Sequence, residues 1–190
     1  MQQCLEKIHL TGAKVINITC DGPYVNIATL NKLGANFSQG QLKTKIDCDL
    51  FEAPVFVILD NCHMIKNVRN AFHHLKTFTD MDGRTVSWRF IEKLVNLQTT
   101  EGLHSANKLS PHHVNFHSQK MKVKLAAQIF SESAASSLDY CRQLNLPEFS
   151  NSEATSKCLR IFNNVFDILN TRNLFGKYSK SPLSLRNQQH

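Results

Sequence analysis

The sequence predicts an α/β fold at its start that gives way to an all-α region. Three observations carry this. Two compact β-branched runs, residues 14–20 and 55–59, flank a single helical pattern. Both runs are almost continuously apolar, as parallel strands covered on both faces require. Beyond Leu97 the strand pattern stops, and apolar residues recur at steps of three and four. With 42% apolar and 19% charged residues among 190, the chain is expected to bury one substantial core or two small ones rather than stay disordered.

Each element follows from local chemistry. Cys4, Leu5 and Ile8 have helical spacing, and Gly12 stands where that helix would stop. The run Lys14-Val15-Ile16-Asn17-Ile18-Thr19-Cys20 reads as a buried strand ending in the turn Asp21-Gly22-Pro23. Pro23 suits the first turn of a helix carrying Val25, Ile27, Ala28, Leu30 and Leu33, which closes at Gly34. A polar stretch, 36–52, leads to the second strand, Val55-Phe56-Val57-Ile58-Leu59. Strand, helix and strand make a right-handed crossover unit. Asp60 or Asn61 caps the next helix, with Met64, Ile65, Val68, Ala71, Phe72 and Leu75 on its apolar stripe. A turn at Asp80-Met81-Asp82-Gly83 follows, and Ser87 is the expected cap of a helix through Trp88, Ile91, Leu94, Val95 and Leu97. Residues 110–172 read as two or three helices, opened by Ser110-Pro111 and by Ser150 to Ser152 and broken near Leu146-Pro147. The expected domains are 1–80, 81–175 and a fraying, flexible tail, 176–190, rich in Ser, Pro, Asn and Gln.

Composition narrows the function classes. Lys and Arg number 22 against 15 acidic residues, giving a formal charge of +7 and a bias towards a polyanionic partner. The bias is uneven: 11 basic and 9 acidic residues in 1–100, against 11 and 6 in 101–190. Solvated helix faces would produce the same count. Six scattered cysteines without a CxxC pair or a signal peptide read as free thiols of an intracellular protein. No apolar run approaches the ~20 residues of a membrane span, so no membrane partner is expected.

Two carboxylates, Asp21 and Asp60, each follow the last residue of an expected parallel strand, on the edge where open α/β sheets gather ligands. There they suit a hard cation such as Mg²⁺, or serve only as turn and cap residues. His63 lies three residues beyond Asp60, close enough on a helix for one side chain to orient the other. Cys62-His63 lacks the second ligand pair that a closed zinc site needs. His73-His74 and His112-His113 read as surface neighbours on helices and carry no assigned role. Neither a G-x-G-x-x-G nor a Walker A pattern is present. Gln119-Lys120-Met121-Lys122-Val123-Lys124 is expected to open a long helix whose lysines meet phosphate or simply face water. Asn163, Asn164, Asp167, Asn170 and Asn173 are unusual company for an otherwise apolar helix.

Several ordered strings resemble the P-element transposase family and its THAP-domain relatives. They are Ile18-Thr19-Cys20-Asp21-Gly22, the run from Val57 through Leu59-Asp60-Asn61-Cys62-His63 to Arg69-Asn70, Lys122-Val123-Lys124-Leu125-Ala126-Ala127-Gln128, and Phe166-Asp167-Ile168-Leu169-Asn170. The resemblance implies part of an RNase H-like core interrupted by the front of a helical GTP-binding insertion. Such a core uses an Asp, Asp, Glu set and Mg²⁺ for DNA cleavage and strand transfer. By that likeness Asp21 is the second catalytic Asp and a metal ligand, and Asp60 with His63 is the supporting Asp-x-x-His element. Lys122 and Val123 would line the nucleotide, with Asn163 and Asp167 facing guanine. The resemblance places the first catalytic Asp before Met1 and the catalytic Glu beyond His190, so the chain is expected to be catalytically incomplete alone. Its implied partners are transposon-end DNA, GTP and a full-length transposase relative, in the nucleus. A non-catalytic module binding GTP or the DNA backbone is the alternative.

Overall fold

A computed structural model describes residues 1–38, 40–102, 107–171 and 176. They form two compact units, 1–64 and 65–190.

The first unit opens with α1 (Gln2–Leu10), which stops where Gly12 adopts the left-handed conformation that glycine accepts without a Cβ penalty. β1 (Asn17–Cys20) leads through Pro23 into α2 (Tyr24–Lys32). Next come β2 (Lys45–Ile46) and β3 (Val55–Leu59). The sheet order is β1-β3-β2. β1 runs parallel to β3 in a register that pairs Ile18 with Val57 and Cys20 with Leu59, while β2 pairs antiparallel. The parallel pair and its crossover helix agree with the sequence reading.

Two features differ from it. The polar stretch 36–52 contributes β2 and a bridge between Asn36 and Lys43. The strands are also covered on one face only. Val57, Leu30, Ala35 and Ile46 form a small core joined by Ile18, Cys20, Leu33 and Phe37, whereas Phe56 and Ile58 remain 49% and 46% exposed. An unbroken apolar run states that both faces are sticky, not that both are covered.

In α3 (Asn61–Leu75) the stripe Ile65, Phe72 and, partly, Val68 turns inward. The second unit continues with a hairpin, β4 (Thr77–Thr79) and β5 (Thr85–Ser87), that the sequence reading missed. Its turn is the expected Asp80 to Gly83 segment: Asp80 Oδ1 accepts from the Asp82 and Arg84 amides at 3.0 and 2.8 Å, and Gly83 is left-handed. Ser87 therefore ends a strand, and α4 (Arg89–Glu101) starts two residues later with Trp88 at its cap.

Ser110 and Pro111 open α5 (Pro111–Val114) as expected. The expected long helix from Gln119 is not formed. A single 3-10 turn, His117–Gln119, precedes an extended Lys122, and α6 spans only Val123–Ile129. α7 (Glu132–Gln143) is capped by Ser131, whose hydroxyl accepts from the Ala134 amide. Another 3-10 turn at Pro147–Phe149 realises the expected break, and α8 (Glu153–Asn170) follows Ser152. One apolar core, including Trp88, Phe116, Ile129, Phe130, Leu138, Phe149 and Leu159, binds these elements together. No helix among the described residues is long and apolar enough to cross a membrane. Apart from Gly176, the expected tail lies outside the described residues.

Candidate functional site

The strand register fixes the first candidate cluster. Cys20 and Leu59 are paired neighbours, and the Asp60 amide donates to the Cys20 carbonyl at 2.8 Å. Asp21 and Asp60 thus leave adjacent parallel strands at the same C-terminal edge. The Asp21 carboxylate accepts from Asn26 Nδ2 of α2 at 2.6 Å, which ties the turn to the crossover helix. Asp60 caps α3, its Oδ1 accepting from the Cys62 amide at 2.8 Å, and its Oδ2 lies 2.5 Å from His63 Nδ1. The His63 hydrogen bond, aided by that amide, holds the Asp60 carboxyl below the usual carboxylate range. Burial and then the Asp21 charge push the Cys20 thiol up.

A divalent magnesium ion needs several oxygen ligands in near-octahedral array. Both Asp60 oxygens are already engaged, Asp21 is a single carboxylate, and the described residues contain no cluster of three metal-capable side chains. They do not compose a magnesium site by themselves.

The second cluster lies on α6 and α8, which pack against each other. Lys122 is exposed at the cap of α6, and Val123, its first residue, rests partly buried against the core that also takes up Phe162 and Phe166 of α8. Asn163 Nδ2 donates to Asp167 Oδ2 at 3.3 Å, one helical turn away, and also meets Asn164 Oδ1 at 3.3 Å. Asn163 and Asp167 therefore form a joined, half-buried polar pair on α8. The Asn173 position of this pattern lies outside the described residues.

Sequence reasoning missed two polar residues of this unit. His113, read as a surface neighbour, is buried: its ring meets Ser110 and lies 3.0 Å from Gln128 Oε1, closing a capping box. Arg69 is fully buried as well. A capping signal, Ser at the cap with His three residues on, stood in the sequence for the first. None stood there for the second.

With this geometry in view, the comparisons with known proteins are specific. The family model "TNP-like, GTP-binding insertion domain" matches residues 62–182. The chain belongs to that family and, with it, to the P-element-type transposases. It is similar to the DNA transposase THAP9 of Homo sapiens, 32% identical over 178 residues, covering 93% of this chain and 20% of the relative. It is also 30% identical over 173 residues to the Transposable element P transposase of Drosophila melanogaster, covering 90% of this chain and 22% of the relative. Among solved structures, the Drosophila P element transposase strand transfer complex matches with a TM-score of 0.76 and 29% identity, over 90% of this chain and 37% of that one. The chain thus spans about a fifth of the length of these curated relatives.

Proposed function

We propose that the chain is the guanine-nucleotide-binding portion of a transposase, joined to part of an RNase H-like core that acts on DNA in the nucleus. The family match over 62–182 carries this reading. In it, residues 1–80 belong to the core and 81–175 to the insertion. Lys122 meets phosphate, Val123 packs on the nucleotide, and Asn163 and Asp167 read the guanine edge. A carboxylate suits that edge because it accepts two N–H bonds, from N1 and N2, that adenine does not offer. Asn163 holds Asp167 in place for this.

Asp21 is, in the same reading, one carboxylate of the catalytic set, with Asp60 and His63 supporting the sheet edge beside it. A second reading, in which the chain acts as a GTP- or DNA-backbone-binding module alongside a full-length relative, rests on the same family match.

Titration of labelled GTP and ATP against the wild type, Asp167→Ala and Lys122→Ala tests the nucleotide assignment. Lys122→Ala is expected to weaken both nucleotides alike. Asp167→Ala should cost roughly 1.5–3 kcal/mol for GTP, the range for a hydrogen bond to a charged group, and abolish the preference over ATP. Equal affinities in the wild type, or a preference untouched by Asp167→Ala, would remove the guanine-reading role.

A further inference from the structure

The C-terminal half of α3 and the segment ahead of α6 enclose a cleft of about 460 Å³ in the second unit. Asn70, His73, His74, Lys76, His117 and Lys120 line it around Phe116, and no carboxylate does. Neither Lys122 and Val123 nor Asn163 and Asp167 belong to its walls.

The residue that holds these walls together is a buried cation. Arg69 is 0% exposed. Its guanidinium lies 4.1 Å over the Phe116 ring, Nε donates to Asn70 Oδ1 at 3.1 Å, and Nη2 donates to the Lys120 carbonyl. All three partners line the cleft, and all three are neutral groups. Nη1 has no hydrogen-bond partner, and no carboxylate stands within ion-pair distance of Arg69 among the described residues. A buried guanidinium stays charged, and leaving its charge without an anion is costly. Arg69 is not itself a lining residue, so its charge acts on the cleft from behind Phe116, Asn70 and the Lys120 carbonyl.

The rim of the cleft carries a strained backbone position. Lys76, just past α3, has φ 62°, and the other left-handed non-glycine residue among those described is an asparagine, Asn145. Asparagine tolerates that region better than lysine, and glycine would serve the helix end better still. The conformation is held by the Phe72 carbonyl, which accepts the Lys76 amide at 3.0 Å, and by the Trp88 amide, which donates to the Lys76 carbonyl at 2.8 Å. Lys76 Nζ meets Glu92 at 3.0 Å, while Lys120 has no ion pair among the described residues. The cationic surroundings also reach His73: burial first, then Lys76, His117 and Arg69, outweigh Glu92 and hold its imidazole below the ordinary histidine range.

We propose that this cleft is an oxyanion site for a phosphate ester, with Arg69 as fixed charge, Lys76 and Lys120 as rim cations, and His73 and His117 as imidazole N–H donors. The cleft exceeds the size of one tetrahedral oxyanion, which leaves room for the group the phosphate is esterified to. That group is either a small phosphate monoester or the backbone of a nucleic acid.

The test is a titration of the full chain with inorganic phosphate at constant ionic strength, followed by the ring C–H proton resonances of the histidines. Saturable shifts of His73 and His117 are expected, which chloride does not reproduce. Lys120→Gln and Lys76→Gly should each weaken phosphate about fivefold, as loss of one exposed charge contact implies. Lys76→Gly should also raise the melting temperature, because glycine relieves the left-handed strain, and leave GTP binding unmoved. A purely structural lysine would not separate stability from phosphate affinity in this way. A short DNA duplex that displaces phosphate identifies the backbone as the source, and one that does not identifies a small phosphate ester. Absence of saturable shifts, equal shifts with chloride, rim variants that bind phosphate as the wild type does, or a Lys76→Gly chain that loses GTP as much as phosphate would overturn the proposal.

Discussion

At the scale of single residues, the sharpest electrostatic knot is Asp139 of α7. Its carboxylate accepts from Ser156 Oγ at 2.8 Å, from Arg142 Nη2 at 3.1 Å and from Arg160 Nη1 at 2.6 Å, so one acid fastens α7 to α8. Burial alone would raise its pKa, but the hydrogen bonds from Ser156, Arg160 and Arg142 outweigh it and hold the carboxyl below the usual range. A folded-state pKa below the unfolded value, about 3.9, means that the ionised form stabilises the fold. That contribution is complete above about pH 5, one unit above the unfolded value, and is lost as the pH falls through the lowered folded value. Asp139→Asn is expected to cost roughly 1.5–3 kcal/mol at neutral pH and to flatten the acid limb of the stability profile. Urea denaturation at pH 7 and at pH 3 measures both. A variant as stable as the wild type at pH 7 would show that the knot is ornamental. Arg69 teaches the complementary lesson: its anchor on Lys120 spans 51 residues of chain, and no local pattern announces such a partner.

At the scale of elements, β5 is docked onto α8 by a single cross-element hydrogen bond within the packing. The Ser87 amide donates to Thr155 Oγ1 at 3.0 Å, and Thr155 is fully buried. Thr155→Val keeps the shape and removes the acceptor, leaving a half-buried N–H without its partner, at a cost of about 1 kcal/mol or somewhat more. Hydrogen exchange should locate the loss at Ser87 and its strand partner Thr77 rather than across α8. Uniform loss of protection would point to a repacked core instead. The same elements show what the sequence disclosed. The strands at 17–20 and 55–59 were legible because β-branched and apolar residues crowd there, three in succession from Ile18 to Cys20 and five from Val55 to Leu59, and their pairing put Asp21 and Asp60 side by side as read. Strands of two or three residues, such as Lys45–Ile46 and Thr77–Thr79, carry too few side chains to show a period. The lysine-rich run from Gln119 has good helix formers throughout, yet Arg69 captures the Lys120 carbonyl and Lys122 stays extended, so tertiary contact overrides propensity. The polar pair Asn163 and Asp167 was visible as an anomaly of composition, whereas its closure into one hydrogen-bonded unit needed the helix itself.

At the scale of the whole molecule, the two units differ in what holds them. In the first, the described residues bury a small cluster of Leu30, Ala35, Ile46 and Val57 with Val55 and Leu5 buried besides, and Phe56 and Ile58 stay half exposed. In the second, a far larger core surrounds Trp88, with Phe72 and Phe116 edge-on to its ring at 5.3 and 6.2 Å. Stability rises with the apolar area removed from water, about 25 cal/mol per Å², so the first unit should yield to denaturant before the second. The chain carries one tryptophan, and it sits in the second unit. Tryptophan fluorescence therefore reports that unit alone, while far-ultraviolet circular dichroism also sees α1, α2 and the parallel strands of the first. In a urea titration the dichroism signal is expected to begin falling at lower denaturant than the fluorescence, with a broader overall transition. Replacing Val57 by Ala should move only the early phase, since that side chain belongs to the small core. Coincident transitions by the two probes would mean that the chain unfolds as one cooperative body, and no early phase would belong to the small core.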